Sequence, residues 1–95
     1  MKVQVERKDG DVWRQNRVQA SYTRNDNISF RLDGRVYVFK DLHEGRDVVT
    51  KTEKGWEKAG RVVRGTIFLG PGKSYSEMAE EQALKNPLWS APIFT

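Results

Sequence analysis

The chain has 95 residues, of which 17 are Lys or Arg and 13 are Asp or Glu, giving a net charge of +4. Hydrophobic residues make up 37%, which suits one small domain with a modest core. The absence of Cys excludes disulfides, thiolate metal sites and thiol catalysis. No apolar run approaches the roughly 18 residues of a membrane span, and the start lacks a signal-peptide stretch. We expect a soluble, intracellular (cytoplasmic) single domain over residues 1–95.

The first part of the chain, before residue 70, is rich in Val and aromatic residues and poor in helix formers, which favours strands. Alternating apolar residues are separated by turn sequences at Asp9-Gly10-Asp11, Asn25-Asp26-Asn27 and Asp33-Gly34. This pattern predicts hairpin-connected antiparallel strands.

The pairing of these strands follows from the turn lengths. A two-residue turn at Asp33-Gly34 pairs Phe30 with Tyr37, and a three-residue loop at 25–27 pairs Tyr22 with Phe30. Both registers place the same apolar residues on one face: Val18, Ala20, Tyr22, Ile28, Phe30, Leu32, Tyr37 and Phe39.

The second half of the strand region is more charged and richer in turns. A short strand is predicted at 48–52, with turns at 53–55 and 58–60. A last strand at 61–69 carries apolar residues on both sides, which indicates a central strand covered on both faces. Gly65 within it predicts a bulge or a close backbone approach.

A helix is predicted at 74–86. Ser74 is suited to the N-cap, Glu77 completes a capping box, and Asn86-Pro87 ends the helix. Its apolar stripe consists of Tyr75, Met78, Ala79 and Ala83. The predicted fold is therefore α+β: a twisted antiparallel sheet of four or five strands, or a small curled barrel, with one C-terminal helix packed on it.

The other face of the predicted meander is polar and basic. It carries Arg17, Gln19, Ser21, Thr23, Ser29, Arg31, Val36, Val38 and Lys40, with no carboxylate. This pattern fits an ordinary solvent face, and it also fits a docking face for phosphates or an acidic protein surface. Val36 and Val38 in its middle indicate partial cover by another element.

Each of the three Trp residues allows two interpretations. Trp13 beside Arg14, and Trp56 near Lys58, place an indole close to a cation. Stacking on such an indole holds single-stranded nucleic acid, and Trp and Arg are also enriched at protein–protein hot spots. The alternative for Trp13, Trp56 and Trp89 is packing in or around the core.

Several chemistries are excluded or weakly supported. One His and no Cys exclude a structural zinc site, and we expect neither metal nor cofactor. Residues 70–74 resemble the end of a phosphate-binding loop, but position 67, where that motif needs Gly, is Ile67. Lys73 and Ser74 could therefore at most hold one anion at the helix N-terminus. His43, Glu44 and Arg46 could form a metal-independent ribonuclease site, but a solvated loop is the simpler interpretation.

The last nine residues, 87–95, contain no charged side chain. Two Pro residues favour an extended segment, and its apolar side chains are Leu88, Trp89, Ile93 and Phe94. Because chain ends are usually polar, we expect this tail to bury itself, either over Val36 and Val38 or as a hook in a partner or a second copy.

The leading functional interpretation is a small, basic, non-enzymatic binding module. It would dock on a larger protein or protein–nucleic-acid machine, in the manner of a viral-type accessory or inhibitor protein. The apolar tail favours a protein partner and would allow a homo-oligomer. The alternatives are a nucleic-acid-binding protein that uses the basic β-face with aromatic stacking, and a small ribonuclease. No membrane partner is expected.

Overall fold

Seven strands and one helix make up the computed structural model, which describes residues 1–85. They are β1 (Lys2–Asp9), β2 (Val12–Tyr22), β3 (Ile28–Leu32), β4 (Arg35–Phe39), β5 (Asp47–Thr52), β6 (Gly55–Val63), β7 (Thr66–Leu69) and α1 (Tyr75–Lys85). Each strand pairs antiparallel with the next, and β1 pairs in parallel with β7, which closes a barrel. The sheet-rich domain with one C-terminal helix is confirmed. The predicted count of four or five strands is wrong.

Two strand segments have no counterpart in the sequence prediction. The first half of β2 and the first half of β6 are largely exposed. Because their side chains lie beyond the packed interior, neither segment shows the alternation that marks a half-buried strand. The parallel seam between β1 and β7 joins Val5 to Ile67 and Arg7 to Leu69, and no local sequence signal announces such a pairing.

The hairpin between β3 and β4 has the predicted register. Phe30 pairs with Tyr37 and Ile28 with Phe39. The two turn residues, Asp33 and Gly34, have φ angles of 52° and 76°, as a two-residue hairpin turn with two left-handed positions requires.

The predicted register between β2 and β3 is wrong by two residues. Ala20, rather than Tyr22, pairs with Phe30, because the loop extends over 23–27. The Thr23 N–H donates to the Asn27 carbonyl at 2.7 Å, which holds the longer loop closed. A shift of two residues preserves the side-chain faces, but it moves Tyr22 to the barrel rim, where it is 70% exposed.

The predicted last strand, 61–69, is two strands. Arg64 and Gly65 form a hairpin turn with φ angles of 52° and 74°, so Gly65 marks neither a bulge nor a close approach. The close approach is at Gly60, where a Cβ atom would lie 1.9 Å from the Phe68 carbonyl oxygen. β6 continues through the predicted turn at 58–60 with a bulge at Ala59, since Val48 pairs with Gly60 and the next residue, Val49, pairs with Lys58.

The barrel interior is filled by aliphatic and aromatic side chains from all seven strands. Its buried members are Val3, Val5, Ala20, Ile28, Phe30, Phe39, Val48, Val62, Ile67 and Leu69. Phe68 points to the outer side of β7 and is also buried, under the ring of Trp13 at 5.8 Å and the Arg61 guanidinium at 5.0 Å. The prediction of a strand covered on both faces is therefore confirmed for β7.

The helix begins with the predicted capping box. The Ser74 N–H donates to Glu77 Oε1 at 2.9 Å, and the Glu77 N–H donates to Ser74 Oγ at 3.1 Å. No residue of α1 is buried, and Met78 and Ala83 of the predicted apolar stripe are exposed. The helix is thus held to the barrel by its first turns and does not pack along it.

The predicted tail at 87–95, with its candidate anchors Leu88, Trp89, Ile93 and Phe94, lies outside the described residues. Within residues 1–85, the single helix is too short and too polar to span a bilayer.

Candidate docking surface

The outer side of β2 to β6 forms one continuous surface, which we call the β2–β6 face. The strand registers align one row of outward side chains across it: Ser21, Ser29, Val38, Val49 and Lys58. In the neighbouring row, Arg31 pairs with Val36 on β3 and β4, and Lys51 with Trp56 on β5 and β6. The face therefore has an aliphatic middle with polar and cationic residues on either side.

A shallow groove of about 510 Å³ lies in the middle of this face. Val36, Val38 and Val49 contribute apolar lining, and Trp56, which is 55% exposed, stands at one side. The other side is polar and comes from Thr23, Asn25, Asn27 and Ser29. An exposed indole beside an aliphatic floor is the composition of an interface hot spot rather than of an ordinary solvent surface.

Cations surround the groove, and several of them have no acidic partner among the described residues. Those on or beside the face that form no ion pair within 1–85 are Arg17, Arg31, Lys40 and Lys51. Lys58 is paired with Asp47 at 3.1 Å, but both side chains are well exposed, so the pair contributes little. Four cations near α1 are paired with its carboxylates: Arg61 with Glu77, Arg64 with Glu80, and Lys73 and Lys85 with Glu81.

Two of the predicted binding residues lie apart from this face. Trp13 packs on Phe68 and meets the Tyr75 ring edge-on at 6.2 Å, with Lys8 Nζ 5.9 Å from its centroid. Arg14 pairs with Asp9 at 3.1 Å. The structure thus brings Arg17, Arg31, Lys40 and Trp56 to one face, and it uses Trp13 to join the barrel to α1.

The helix N-terminus already holds an anion from within the chain. The buried carboxylate of Glu6 accepts hydrogen bonds from the Tyr75 N–H at 2.5 Å, the Ser76 N–H at 3.3 Å and Ser76 Oγ at 3.2 Å. Lys73 is paired with Glu81. An external phosphate or carboxylate at Lys73 and Ser74 would therefore have to displace Glu6.

The loop before β5 holds the candidate ribonuclease residues. Asp41 organises it, accepting hydrogen bonds from Arg46 Nε at 2.9 Å and the His43 N–H at 3.1 Å, and these bonds lower the Asp41 pKa. Glu44 Oε2 accepts the Arg64 N–H at 2.6 Å. Of the three candidate residues, Arg46 and Glu44 are thus engaged in holding the loop, and the His43 side chain is 81% exposed.

Sequence reasoning misses the contributions of β5 and of Glu6 to these surfaces. The alternation of 48–52 places Val49 and Lys51 on the outer side of the strand, away from the buried Val48 and Thr50. It does not show that this strand pairs with β4, because an irregular loop precedes β5. The alternation of β1 places Glu6 on the polar side of the strand, and the signal for its burial is absent because its helix partner lies 69 positions away.

Within residues 1–85 there is no group of three or more His, Asp or Glu side chains placed to hold a metal ion. No protein family, curated protein or solved structure gives a significant match to this chain.

Proposed function

We propose that the protein is a non-enzymatic docking module that binds an acidic, partly apolar surface of a larger protein through its β2–β6 face. The observation that carries this proposal is the uneven pairing of charge within residues 1–85. Four cations are paired with the carboxylates of α1, whereas those of the β2–β6 face have no described carboxylate paired to them: Arg17, Arg31, Lys40 and Lys51.

This arrangement has the anatomy of a protein interface. Interfaces combine a desolvated apolar centre with a polar rim, and rim charges steer association and select the partner. Val36, Val38, Val49 and Trp56 supply the centre, and the four cations supply the rim. A partner that buries the centre and brings carboxylates to the rim satisfies both parts, as an accessory or inhibitor protein would need.

A second candidate is single-stranded nucleic acid, which is favoured by the exposed ring of Trp56 opposite Lys51. Stacking of one base on an aromatic side chain is worth about 1–3 kcal/mol. The groove beside Trp56 is lined, among the described residues, by aliphatic rather than further aromatic side chains, so successive bases would find no second stacking platform there. The protein partner therefore fits the surface better.

Selection from a random displayed peptide library on the immobilised full-length protein tests the proposal. The recovered peptides should combine Asp or Glu with apolar residues. Their Kd should rise at least about tenfold, equivalent to about 1.4 kcal/mol, for Val38→Asp and for Trp56→Ala. The matched control is Leu84→Ser, because Leu84 is 82% exposed on α1 and lies away from the face.

The same assay with an oligothymidine probe separates the two candidates. Nucleic acid would be favoured by tight binding that weakens linearly with the logarithm of salt concentration. The slope should then become shallower by about 0.7 for each phosphate that Arg17→Ala or Arg31→Ala leaves without its cation. Recovered peptides without acidic residues, or peptides whose binding ignores Val38→Asp, would contradict the proposed function.

A further inference from the structure

One edge of β2 is open over most of its length. β1 pairs with β2 from Val12 to Gln19, whereas β3 pairs with its other edge only from Ala20 to Tyr22. No other strand within residues 1–85 pairs with β2 between Val12 and Gln19 on that second side. An unpaired edge of this length is a template for an additional strand.

The peptide groups that face the open edge can be identified from the pairing with β1. Met1 and Ala20 exchange two hydrogen bonds, of 3.0 and 2.7 Å. Because such pairs alternate along an antiparallel ladder, Val18 and Asn16 also bond toward β1. The N–H and C=O groups of Gln15 and Arg17 then point to the open side.

A cleft of about 570 Å³ lies where β2 and β3 separate. Its lining combines three apolar residues, Val18, Phe30 and Val36, with polar residues and Arg31; Phe30 itself is buried in the core. Arg17 lies on β2 with the same outward parity as Gln19. Among the described residues, the lining contains no carboxylate.

We infer that the acidic partner segment binds in extended form, as a strand added to the open edge of β2. This inference rests on the proposed function and specifies its ligand. Side chains of an added strand alternate between two faces. One set would face the half-buried Val18, and the other would lie outward near Arg17 and Arg31. The ligand is therefore a segment in which apolar and acidic residues alternate.

The charge of the edge selects this occupant over a second copy of the chain. Two β2 edges placed side by side would bring the unpaired Arg17 of each copy close together, and like charges on paired strands are destabilising. An acidic segment removes this repulsion, and its backbone satisfies the N–H and C=O groups of Gln15 and Arg17.

A synthetic peptide of about eight residues with alternating Glu and Val, the length of a strand ladder, tests the mode of binding on the full chain. Two versions carry backbone N-methyl groups at odd or at even positions. In strand addition only one set of peptide N–H groups faces β2, so one version should bind at least about tenfold more weakly than the other. If the peptide docked through its side chains alone, the versions methylated at odd and at even positions would bind about equally well.

A pair of protein variants tests the edge itself. Gln15→Pro removes an N–H that points to the open side, and Pro is tolerated on such an edge. It should weaken peptide binding, whereas Gln15→Ala, which retains the N–H, should not. If Gln15→Pro prevents folding, the N-methyl comparison on the unaltered protein still decides the question.

Amide exchange measured by NMR identifies the occupant. We expect the amides of Gln15 and Arg17 to exchange rapidly in the free protein and to become protected by the peptide. Protection already present in the free monomer would assign the edge to residues 86–95. Protection that grows with protein concentration would assign it to a second copy, and protection by oligothymidine would assign it to nucleic acid. Each of these three results overturns the inference.

The two proposals fail in distinguishable ways. Strand addition would be refuted if acidic peptides bind in a Val38-dependent manner but the two N-methylated versions bind equally well. The docking function would then remain intact. If no acidic peptide binds at all, both are refuted.

Discussion

Glu6 and Tyr75 are joined by a hydrogen bond of 2.5 Å, from the backbone N–H of Tyr75 to the Glu6 carboxylate, across 69 positions of sequence. Glu6 is 1% exposed, and the first turn of a helix is where negative charge is stabilised by the helix dipole. The first strand of the barrel thereby anchors the last element of the described chain.

Replacing Glu6 by Gln should release this anchor. The change preserves shape but removes the charge, and hydrogen bonds to charged groups contribute about 1.5–3 kcal/mol each. We expect the free energy of unfolding, measured by urea titration, to fall by about 2 kcal/mol. Glu53→Gln, at an exposed turn, is the control and should be neutral. Equal stability of the two variants would contradict the anchoring role.

Acid should destabilise α1. Hydrogen bonds from Lys73 and Lys85 lower the pKa of Glu81 to about 2 from its usual 4.5. For Glu77, burial raises the pKa, but hydrogen bonds from Ser74 and the Arg61 charge outweigh it and lower the pKa overall. Because the folded-state pKa values are depressed, these carboxylates stabilise the fold fully above about pH 4.5 and progressively less as the pH falls toward 2.

Far-UV circular dichroism between about pH 6 and pH 2, in steps of about half a unit, measures this loss as a decline in helical signal. Glu81→Gln should show a smaller pH dependence in the same window, since it lacks the group that titrates. A helical signal that is constant down to the acid end of the range, or an unchanged profile in Glu81→Gln, would count against this assignment.

Gly60 and Gly65 should respond very differently to Ala. At Gly60 the new Cβ would lie 1.9 Å from the Phe68 carbonyl oxygen, and backbone cannot move aside cheaply. We expect Gly60→Ala to cost about 3 kcal/mol or more, the upper range of overpacking. At Gly65 an added Cβ would meet no atom within 4 Å, and only the left-handed φ of +74° disfavours Ala. Gly65→Ala should therefore lower the free energy of unfolding by about 1–2 kcal/mol. Thermal unfolding compares the two variants directly, and a larger cost at Gly65 would be inconsistent with the close approach of β6 and β7.

Substitution of Trp13 should mainly lower stability, whereas substitution of Trp56 should mainly weaken binding. Trp13 packs on Phe68 and Tyr75, so Trp13→Ala should destabilise the protein by about 3 kcal/mol. Trp56 is 55% exposed, so Trp56→Ala should change stability by no more than about 0.5 kcal/mol while weakening peptide binding. Chemical denaturation and peptide titration on both variants check this, and a large drop in stability in Trp56→Ala would place that ring in the fold rather than in the interface.

Local signals in the sequence are sufficient for the parts of the fold that depend on neighbouring residues. Asp33-Gly34 predicts its hairpin register, and Ser74 with Glu77 predicts the helix cap, because each depends on residues only a few positions apart. The sequence Asn25-Asp26-Asn27 predicts a turn but not its length. Thr23 adds a backbone bond to Asn27 that closes a longer loop, and composition does not reveal such a bond.

Longer-range features cannot be predicted in the same way. The role of Gly60 depends on the Phe68 carbonyl of β7 lying against it, and the burial of Glu6 depends on Tyr75. The basic face can be identified from strand parity, which places Arg17, Arg31 and Lys40 together. Its groove needs β5 as well, and the position of β5 follows only from the closed barrel.

The parallel seam between β1 and β7 has a consequence for how the protein folds. Val5 pairs with Ile67 from the opposite end of the barrel sequence, so the closing contact has a long sequence separation and a high loop-closure entropy. During synthesis, β1 leaves the ribosome well before β7, so its edge toward β7 stays unpaired until β7 has been made. We therefore expect barrel closure to be a late event and the folding rate to depend on the seam more than on the hairpins.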